Sequence, residues 1–309
     1  MARCIKCPSE SIVELKHSNL KLCLEHFNEY FVRRVSRTIE RYHMIKRGDK
    51  VLVAVSGGKD SLVLLDVLTK ISDKIDFSIV GVTLDLGIKG YSPEAIKYAV
   101  KGFKDRDVEY LVVDLKRDYG FSIDDVYVKR KKLRRSICSV CGLVKRHVLN
   151  DVALKLRATK VATGHTLDDV AQYILIGVFS GNYEQLAKVY PISISELEGL
   201  VTRIKPLAET PEEDILAYAT LNGIEFLKSK CPHSKGALSL EFKELLVKLE
   251  EKHPGLKVSL VRNFHKKLHP LLTSKYRVDL HDIKRCQVCG IPTTSRMCSF
   301  CKLRTKVRS

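Results

Sequence analysis

The sequence lacks any apolar run long enough to cross a membrane. A spanning helix needs about 20 consecutive apolar residues, and the richest runs, Val51–Val55 and Ile174–Phe179, are far shorter. The first residues, Met1-Ala2-Arg3-Cys4, contain no apolar stretch of the kind found in a secretory signal peptide. We therefore expect a soluble cytoplasmic protein with no membrane partner.

Acidic residues are too few to balance the basic ones. The 309 residues include 54 Lys and Arg against 36 Asp and Glu, a net charge of +18. Such an excess costs self-repulsion in the folded state unless a polyanion binds. Nucleic acid is the leading candidate, since the sequence shows no basic amphipathic helix that would anchor it to a membrane surface. The 45% hydrophobic content excludes a disordered chain and predicts one large domain with appendages, or two domains.

Ten cysteines in a protein expected inside the cell require an explanation other than disulfides. Two sets have the spacing of four-ligand zinc sites. Four protein ligands leave no position for water, so such sites are structural rather than catalytic. Buried free cysteines with this spacing by chance are the alternative. The predicted ligands are Cys4, Cys7, Cys23 and His26 near the N-terminus, and Cys286, Cys289, Cys298 and Cys301 near the C-terminus.

Three cysteines remain outside these two sets. Cys138 and Cys141 form a third Cys-x-x-Cys pair, and Cys231 stands in Cys-Pro-His. They cannot complete a four-ligand zinc site without a fourth partner. His233 is close in sequence to Cys231 and is a candidate for this fourth ligand, but it is interpreted equally well as an ordinary loop histidine.

The middle of the chain alternates between short apolar runs and segments of helical periodicity. Continuous apolar strands between helices predict a doubly wound parallel α/β sheet covered on both faces. Thr210-Pro211-Glu212-Glu213 predicts a helix start with a capping box and proline at the first helical position. Strands are predicted at 50–55, 77–84, 109–115, 160–163 and 201–204, and helices at 60–72, 93–103, about 139–157, from 167, from 211 and over 238–272.

The first predicted strand runs into Ser56-Gly57-Gly58-Lys59-Asp60-Ser61, just before a predicted helix. Two glycines let the backbone approach a phosphate, and a helix start offers N–H groups to it. The spacing of a Walker loop is absent, which argues against a kinase or GTPase loop. An ordinary turn is the alternative interpretation.

This hexapeptide resembles the PP-loop of the N-type ATP pyrophosphatases. The chain is similar to the tRNA 2-thiouridine synthetases of the TtuA/TtcA type. The similarity lies in the Cys138–Cys141 pair, Cys231, Gly-His-Thr-Leu-Asp-Asp at 164–169 and the paired zinc ends, together with the hexapeptide. The resemblance implies a PP-loop fold (adenine-nucleotide alpha-hydrolase-like) flanked by zinc-binding domains. The predicted divisions are an N-terminal zinc finger (1–30), a catalytic domain (31–235), its helical extension (236–278) and a C-terminal zinc ribbon (279–309).

In this family ATP converts a carbonyl oxygen of the base into a good leaving group, AMP. The resemblance implies that Mg²⁺ helps to neutralise the ATP phosphates. It also implies, by position, that Asp60 is one of the catalytic residues. Ala54 and Thr83 would flank the adenosine, and Gly164 would lie at the sheet edge where such folds bind ligands. The residues expected to hold the phosphates are Ser56, Gly57, Gly58, Lys59, Asp60 and Ser61.

Cys138, Cys141 and Lys145 are spaced to share one helical face. Lys145 would reach the ATP phosphates or developing charge, with a solvated lysine as the alternative. Asp169 would orient a base or hold Mg²⁺. The alternative is that Asp168 and Asp169 only provide the acidic charge that a first helical turn favours, and this alternative is stronger for Asp168 than for Asp169.

In the family, Cys138, Cys141 and Cys231 hold a [4Fe–4S] cluster whose open iron binds hydrosulfide. A persulfide on one cysteine, with a second as resolving thiol, is the competing route. The resemblance also implies tRNA as substrate, a homodimer and a ubiquitin-like sulfur carrier with a C-terminal thiocarboxylate.

The basic run 129–135 is interpreted as a surface that binds the RNA phosphates, or alternatively as a solvated face. Another PP-loop ligase, of 2-thiocytidine or lysidine type, and a non-catalytic zinc-ribbon RNA-binding protein remain as rival functions.

Overall fold

A computed structural model describes residues 2–132, 135–195, 197–234, 238–276 and 283–308, with the side chain of Lys132 excepted. The predicted domain limits at 235/236 and 278/279 lie outside these residues, as do Leu133 and Arg134 of the basic run. Among the described residues, none of the helices combines the length and apolar character that a membrane span requires.

The strands in the described part of the chain are β1 (Val13–Leu15), β2 (Leu20–Leu22), β3 (Lys50–Ala54), β4 (Ser78–Asp85), β5 (Tyr110–Asp114), β6 (Lys160–Thr163), β7 (Ile192–Ser193), β8 (Thr202–Ile204), β9 (Lys284–Arg285) and β10 (Pro292–Thr293). These strands form one six-stranded sheet and two small hairpins. The large sheet has the order β5-β4-β3-β6-β8-β7, parallel except for β7 at its edge.

Helices cover both faces of this sheet, because alternate residues of its apolar strands enter different cores. The helices are α1 (Leu24–Arg41), α2 (Lys59–Ile75), α3 (Ser92–Lys104), α4 (Leu115–Tyr119), α5 (Ile123–Val128), α6 (Ile137–Lys155), α7 (Leu167–Phe179), α8 (Tyr183–Leu186), α9 (Glu212–Leu221), α10 (Leu238–Lys252), α11 (Leu256–Asn263), α12 (His269–Lys275) and α13 (Ser299–Arg308), with a π-helical turn at Phe264–Leu268. Val51 and Val53 pack with α1, α2 and α9 on one face, and Leu52 packs with α6 on the other. This arrangement confirms the predicted doubly wound α/β fold.

The N-terminal hairpin is joined to the sheet domain by α1, which runs through the predicted limit at residue 30. Phe27 and Phe31 are fully buried on this helix. The Phe31 ring stacks on Tyr218 of α9 with 4.2 Å between centroids. The N-terminal cysteines therefore sit at one end of a helix that is part of the main core.

The C-terminal segment packs on the opposite face of the sheet, against α6. Phe300 of α13 is 2% exposed, and its ring stacks on His147 of α6 at a centroid distance of 3.7 Å and an interplanar angle of 9°. Phe121 and Tyr119 contact the other sides of the same ring. This contact couples the C-terminal cysteine set to the helix that carries Cys138 and Cys141.

The predicted capping box at Thr210 is wrong. Pro211 is the cap of α9 and not its first helical residue, and the buried Thr210 hydroxyl has no hydrogen-bond partner among the described residues. The N–H of Glu212 instead donates to the carboxylate of Asp168, at 2.8 Å. A carboxylate from another helix thus replaces the local cap, which a four-residue pattern cannot show.

Candidate active site at the carboxyl edge of the sheet

The loop between β3 and α2 has the geometry of a phosphate cradle. Gly57 has φ +79°, and a Cβ there would lie 2.1 Å from the carbonyl oxygen of Ala95, so only glycine fits. Gly58 caps α2 without a side chain, which leaves N–H groups of the helix start for a ligand. The Ser61 hydroxyl accepts from the N–H of Ser56 at 3.0 Å and tightens the turn.

Charges of alternating sign cover this loop. The Lys59 ammonium donates to Asp60 at 2.8 Å and also contacts Glu212. Lys243 of α10 bridges Glu212 at 2.6 Å and Asp169 at 3.3 Å. Burial, opposed by Lys59, raises the pKa of Asp60 to about 6. A carboxyl group that is hard to ionise without a cation is suited to a site that receives Mg²⁺.

Sequence reasoning missed Glu212 and Lys243. Glu212 stands in a predicted helix start and Lys243 in the predicted helix 238–272, and neither pattern indicates a role at the site. Both come from elements far along the chain from the PP-loop. No short motif signals them, because only the packing of α9 and α10 brings them to Lys59.

Two adjacent aspartates at the start of α7 have different surroundings. Asp169 forms a capping box with Thr166 through one carboxylate oxygen, while the other faces Lys243. Asp168 is buried and pairs with the Lys257 ammonium at 2.7 Å. Asp168 is therefore a structural anchor. Asp169 combines a structural contact with a position at the site.

The other residues predicted to hold the nucleotide lie along the same edge. Ala54 ends β3 and pairs with Val82 and Thr163 of the neighbouring strands. Thr83 is buried, and two further residues of β4 follow it. A Cβ on Gly164 would lie 3.0 Å from the backbone of Asp60 and of Ser61, so this residue must be small for β6 to meet the loop.

Cys138 and Cys141 occupy the first turns of α6, and Cys231 lies directly before the 3₁₀ turn Pro232–Ser234. Burial raises the pKa of the Cys138 thiol, as does Cys231, while Lys145 opposes the rise. Burial likewise raises the pKa of the Cys141 thiol, with Lys145 again opposing and the other two cysteines adding to it. The structure therefore brings the three cysteines and Lys145 into one neighbourhood.

His233 is not offered to this cysteine group as a fourth ligand. Its Nε2 lies 2.7 Å from a carboxylate oxygen of Asp124, and its ring packs on Tyr127. What reaches Cys138 is the His233 carbonyl oxygen, which accepts from the thiol at 3.7 Å. These contacts favour the interpretation of His233 as an ordinary loop histidine.

The described part of the basic run is held against its surroundings. Lys129 donates to the carbonyl oxygen of Val307 at 2.8 Å, and the Arg130 guanidinium lies 4.0 Å from the centroid of the Tyr127 ring. Both contacts leave positive charge close to the cysteine helix.

Each predicted zinc set brings four donor atoms together within 4.8 Å of one another. A tetrahedron with Zn–S bonds of about 2.3 Å has S···S edges of about 3.8 Å and S···N edges of about 3.5 Å. The Cys7–Cys23 and Cys289–Cys298 sulfurs are each 3.7 Å apart. His26 Nδ1 lies 3.2 Å from the Cys23 sulfur. These distances fit single tetrahedral ions.

The group of Cys138, Cys141 and Cys231 differs, since among the described residues it does not form a set of donor atoms within 4.8 Å. Wider spacing is expected where each thiolate binds a different iron of a cluster.

Comparisons with known proteins agree with this site. The PP-loop domain family matches residues 27–234. The chain is 39% identical to a tRNA-5-methyluridine(54) 2-sulfurtransferase of Pyrococcus horikoshii, over 97% of this chain and 93% of that protein. It is 38% identical to a protein of the same name from Thermus thermophilus, over 97% and 90%. Among solved structures, it is similar to the U34-tRNA thiolase NcsA from Methanococcus maripaludis with its [4Fe-4S] cluster (TM-score 0.83, 31% identity, 99% and 96% coverage).

Proposed function

The chain belongs to the PP-loop domain family and, within it, to the tRNA 2-thiolation proteins, and from this premise we propose that it is an ATP-dependent tRNA 2-sulfurtransferase. It would replace O2 of a uridine by sulfur. The observation that carries the proposal is the gathering of Cys138, Cys141, Cys231 and Lys145. The N–H of Leu227, four residues before Cys231, donates to the carbonyl oxygen of Gly57 at 2.9 Å and so ties this group to the PP-loop. A PP-loop ligase that makes lysidine or an amide has no use for three such thiols.

ATP is expected to bind with its phosphates on Ser56 to Ser61 and its adenosine between Ala54 and Thr83. The absence of a side chain at Gly57 and the open helix start of α2 support this placement. The uridine O2 would attack the α-phosphorus, so that the bond to pyrophosphate breaks and AMP becomes attached to O2. Asp60 and Asp169 would hold Mg²⁺, and the absence of a side chain at Gly164 lets β6 approach the loop backbone at Asp60 and Ser61.

Sulfur would then form a bond to C2 as the C2–O2 bond breaks and AMP leaves. Negative charge moves from sulfur to the departing phosphate in this step. Lys145 is suited to stabilise it, because it forms no ion pair with a carboxylate in the described part of the chain and its charge acts on both Cys138 and Cys141.

The three cysteines fit an iron–sulfur cluster better than a third zinc. They are three and not four, and their sulfurs are spread more widely than in the two tetrahedral sets. A [4Fe–4S] cluster held by them would supply one iron that is open for inorganic sulfur. In the persulfide route, one of the same thiols would carry the sulfur instead.

The two tetrahedral donor sets are proposed to hold one structural Zn²⁺ each, because their edges match those of a zinc tetrahedron. The relatives of 39% and 38% identity are named for position 54, so we place the modification at 5-methyluridine 54 of tRNA. A ubiquitin-like sulfur carrier and a homodimer remain part of the proposal on the family resemblance alone.

The test is anaerobic incubation of reconstituted enzyme with Mg-ATP, sulfide and a tRNA that carries 5-methyluridine at 54, followed by nucleoside mass spectrometry. A product 16 mass units heavier (sulfur for oxygen) is expected from the wild type. Lys59→Ala and Cys138→Ala should both lose it. An ATP-dependent product with a different mass change, formed by all three single cysteine-to-alanine variants, would favour another PP-loop ligase. RNA binding without any ATP turnover would favour a non-catalytic RNA-binding protein.

A further inference from the structure

An aromatic side chain stands uncovered between the two halves of the site. Tyr173 of α7 follows Asp169 by four residues, so it lies one helical turn farther along the same face. It is 49% exposed and forms neither a hydrogen bond nor a ring contact among the described residues. A large exposed aromatic without a partner is the kind of surface that binds a flat ligand.

Tyr173 is near charged groups from both halves of the site. Burial is the main cause of the raised pKa of its phenol, although half of the residue is accessible. The charges that act on the phenol come from Asp169 on the ATP side, from Cys138 on the sulfur side, and from Arg146 and Lys243. Tyr173 thus lies between the group that activates the oxygen and the group that delivers the sulfur.

Two arginines without acidic partners lie close to each other, and the charge of one of them, Arg146, acts on the Tyr173 phenol. Arg146 is exposed, and its Nη1 lies 3.2 Å from where a Cβ of Gly142 would be, so the guanidinium folds back along α6 toward Gly142. Burial and the nearby Arg146 lower the pKa of Arg203. Neither arginine forms an ion pair with a carboxylate in the described residues. Two like charges held together without a counter-ion favour binding of an anion.

We infer that Tyr173, Arg146 and Arg203 form the binding site for the target nucleotide, with the Tyr173 ring stacked on the extruded uracil and the two guanidiniums on an adjoining phosphate. This inference rests on the proposed tRNA thiolation. A base must leave the RNA stack before an enzyme can act on its C2. Aromatic rings and arginines are the side chains that receive single-stranded bases and their phosphates.

The experiment compares Tyr173→Ala and Tyr173→Phe with Tyr183→Ala, a matched control that removes an exposed tyrosine of α8. We expect Tyr173→Ala to raise Kd and KM for tRNA about tenfold, the size of one lost base stack, with KM for ATP unchanged. Tyr173→Phe keeps the ring and should stay within about twofold of the wild type, as should Tyr183→Ala.

Arg146→Gln provides a second test on an exposed residue whose loss leaves the fold intact. It should weaken tRNA binding and reduce the slope of log Kd against log salt concentration by about 1, whereas Arg146→Lys should retain the slope. A wild-type enzyme that thiolates tRNA while Tyr173→Ala and Arg146→Gln keep its affinity and salt slope would overturn this inference alone. A wild-type enzyme without thiolation activity would instead refute the proposed function.

Discussion

The contact between the C-terminal cysteine segment and α6 gives the sharpest stability prediction. Phe300 is 2% exposed and lies between His147, Tyr119 and Phe121. Truncating a fully buried phenylalanine to alanine costs about 3–5 kcal/mol, because the apolar contacts are lost and a cavity remains. Phe300→Ala should therefore lower the free energy of unfolding by about that amount.

The assay is urea denaturation followed by circular dichroism, with zinc content measured in parallel. Phe179→Ala serves as the matched control, since Phe179 is 75% exposed and its loss should change stability by less than about 0.5 kcal/mol. Because α6 carries Cys138 and Cys141, Phe300→Ala should also bind less iron on reconstitution. A loss of stability below about 1 kcal/mol with zinc retained would refute the argument that this contact supports α6.

Three further predictions follow from buried groups. Lys257→Met leaves the buried carboxylate of Asp168 unpaired and should cost about 3–5 kcal/mol in urea denaturation. Gly57→Ala places a Cβ against the Ala95 carbonyl and should abolish ATP binding by calorimetry, whereas Gly48→Ala, at a similar φ but in open space, should not. As the pH is lowered from about 6.5 to about 4, the free energy of unfolding should fall. Three histidines have folded-state pKa values of about 4, so over this range the unfolded chain takes up protons that the folded chain does not. These histidines, whose pKa burial lowers most, are His147, His165 and His265.

Each of these predictions has an outcome that contradicts it. Lys257→Met with wild-type stability would mean that the Asp168 charge finds another partner or a proton. Equal ATP affinity in Gly57→Ala and Gly48→Ala would show that the loop does not approach the nucleotide. A flat stability profile between pH 7 and pH 4.5 would show that the three imidazoles remain accessible to protons in the folded state.

The central strands and the PP-loop were predictable because their signals are local. A strand buried on both faces is a continuous apolar run, and the strand at Lys160–Thr163 has the predicted bounds. The long helix expected at about 139–157 begins two residues earlier, at Ile137, because Ser136 caps it by accepting from the N–H of Ser139.

Helix α1 could have been found from the sequence. Phe27, Phe31, Val35 and Ile39 recur every four residues and are all buried, which is the pattern of an amphipathic helix. The zinc-ligand spacing predicts instead a separate N-terminal zinc finger that ends at residue 30.

The charged part of the site could not be predicted in this way. Lys59, Glu212 and Lys243 lie far apart in the chain and meet only because α9 and α10 pack over the loop. Another tertiary contact, between α7 and α9, explains why Thr210 is not the cap. Asp168 reaches the helix start from α7 and satisfies the N–H that a local side chain would otherwise take.

The central claim is that the three cysteines beside the PP-loop serve ATP-dependent thiolation of tRNA. Its most direct test is the number of 2-thionucleosides formed per tRNA by anaerobically reconstituted wild type and by Cys231→Ala, with and without ATP. ATP-dependent product is expected from the wild type alone, together with iron bound by the wild type and lost from the variant. Undiminished product from Cys231→Ala, or product without ATP, would contradict it.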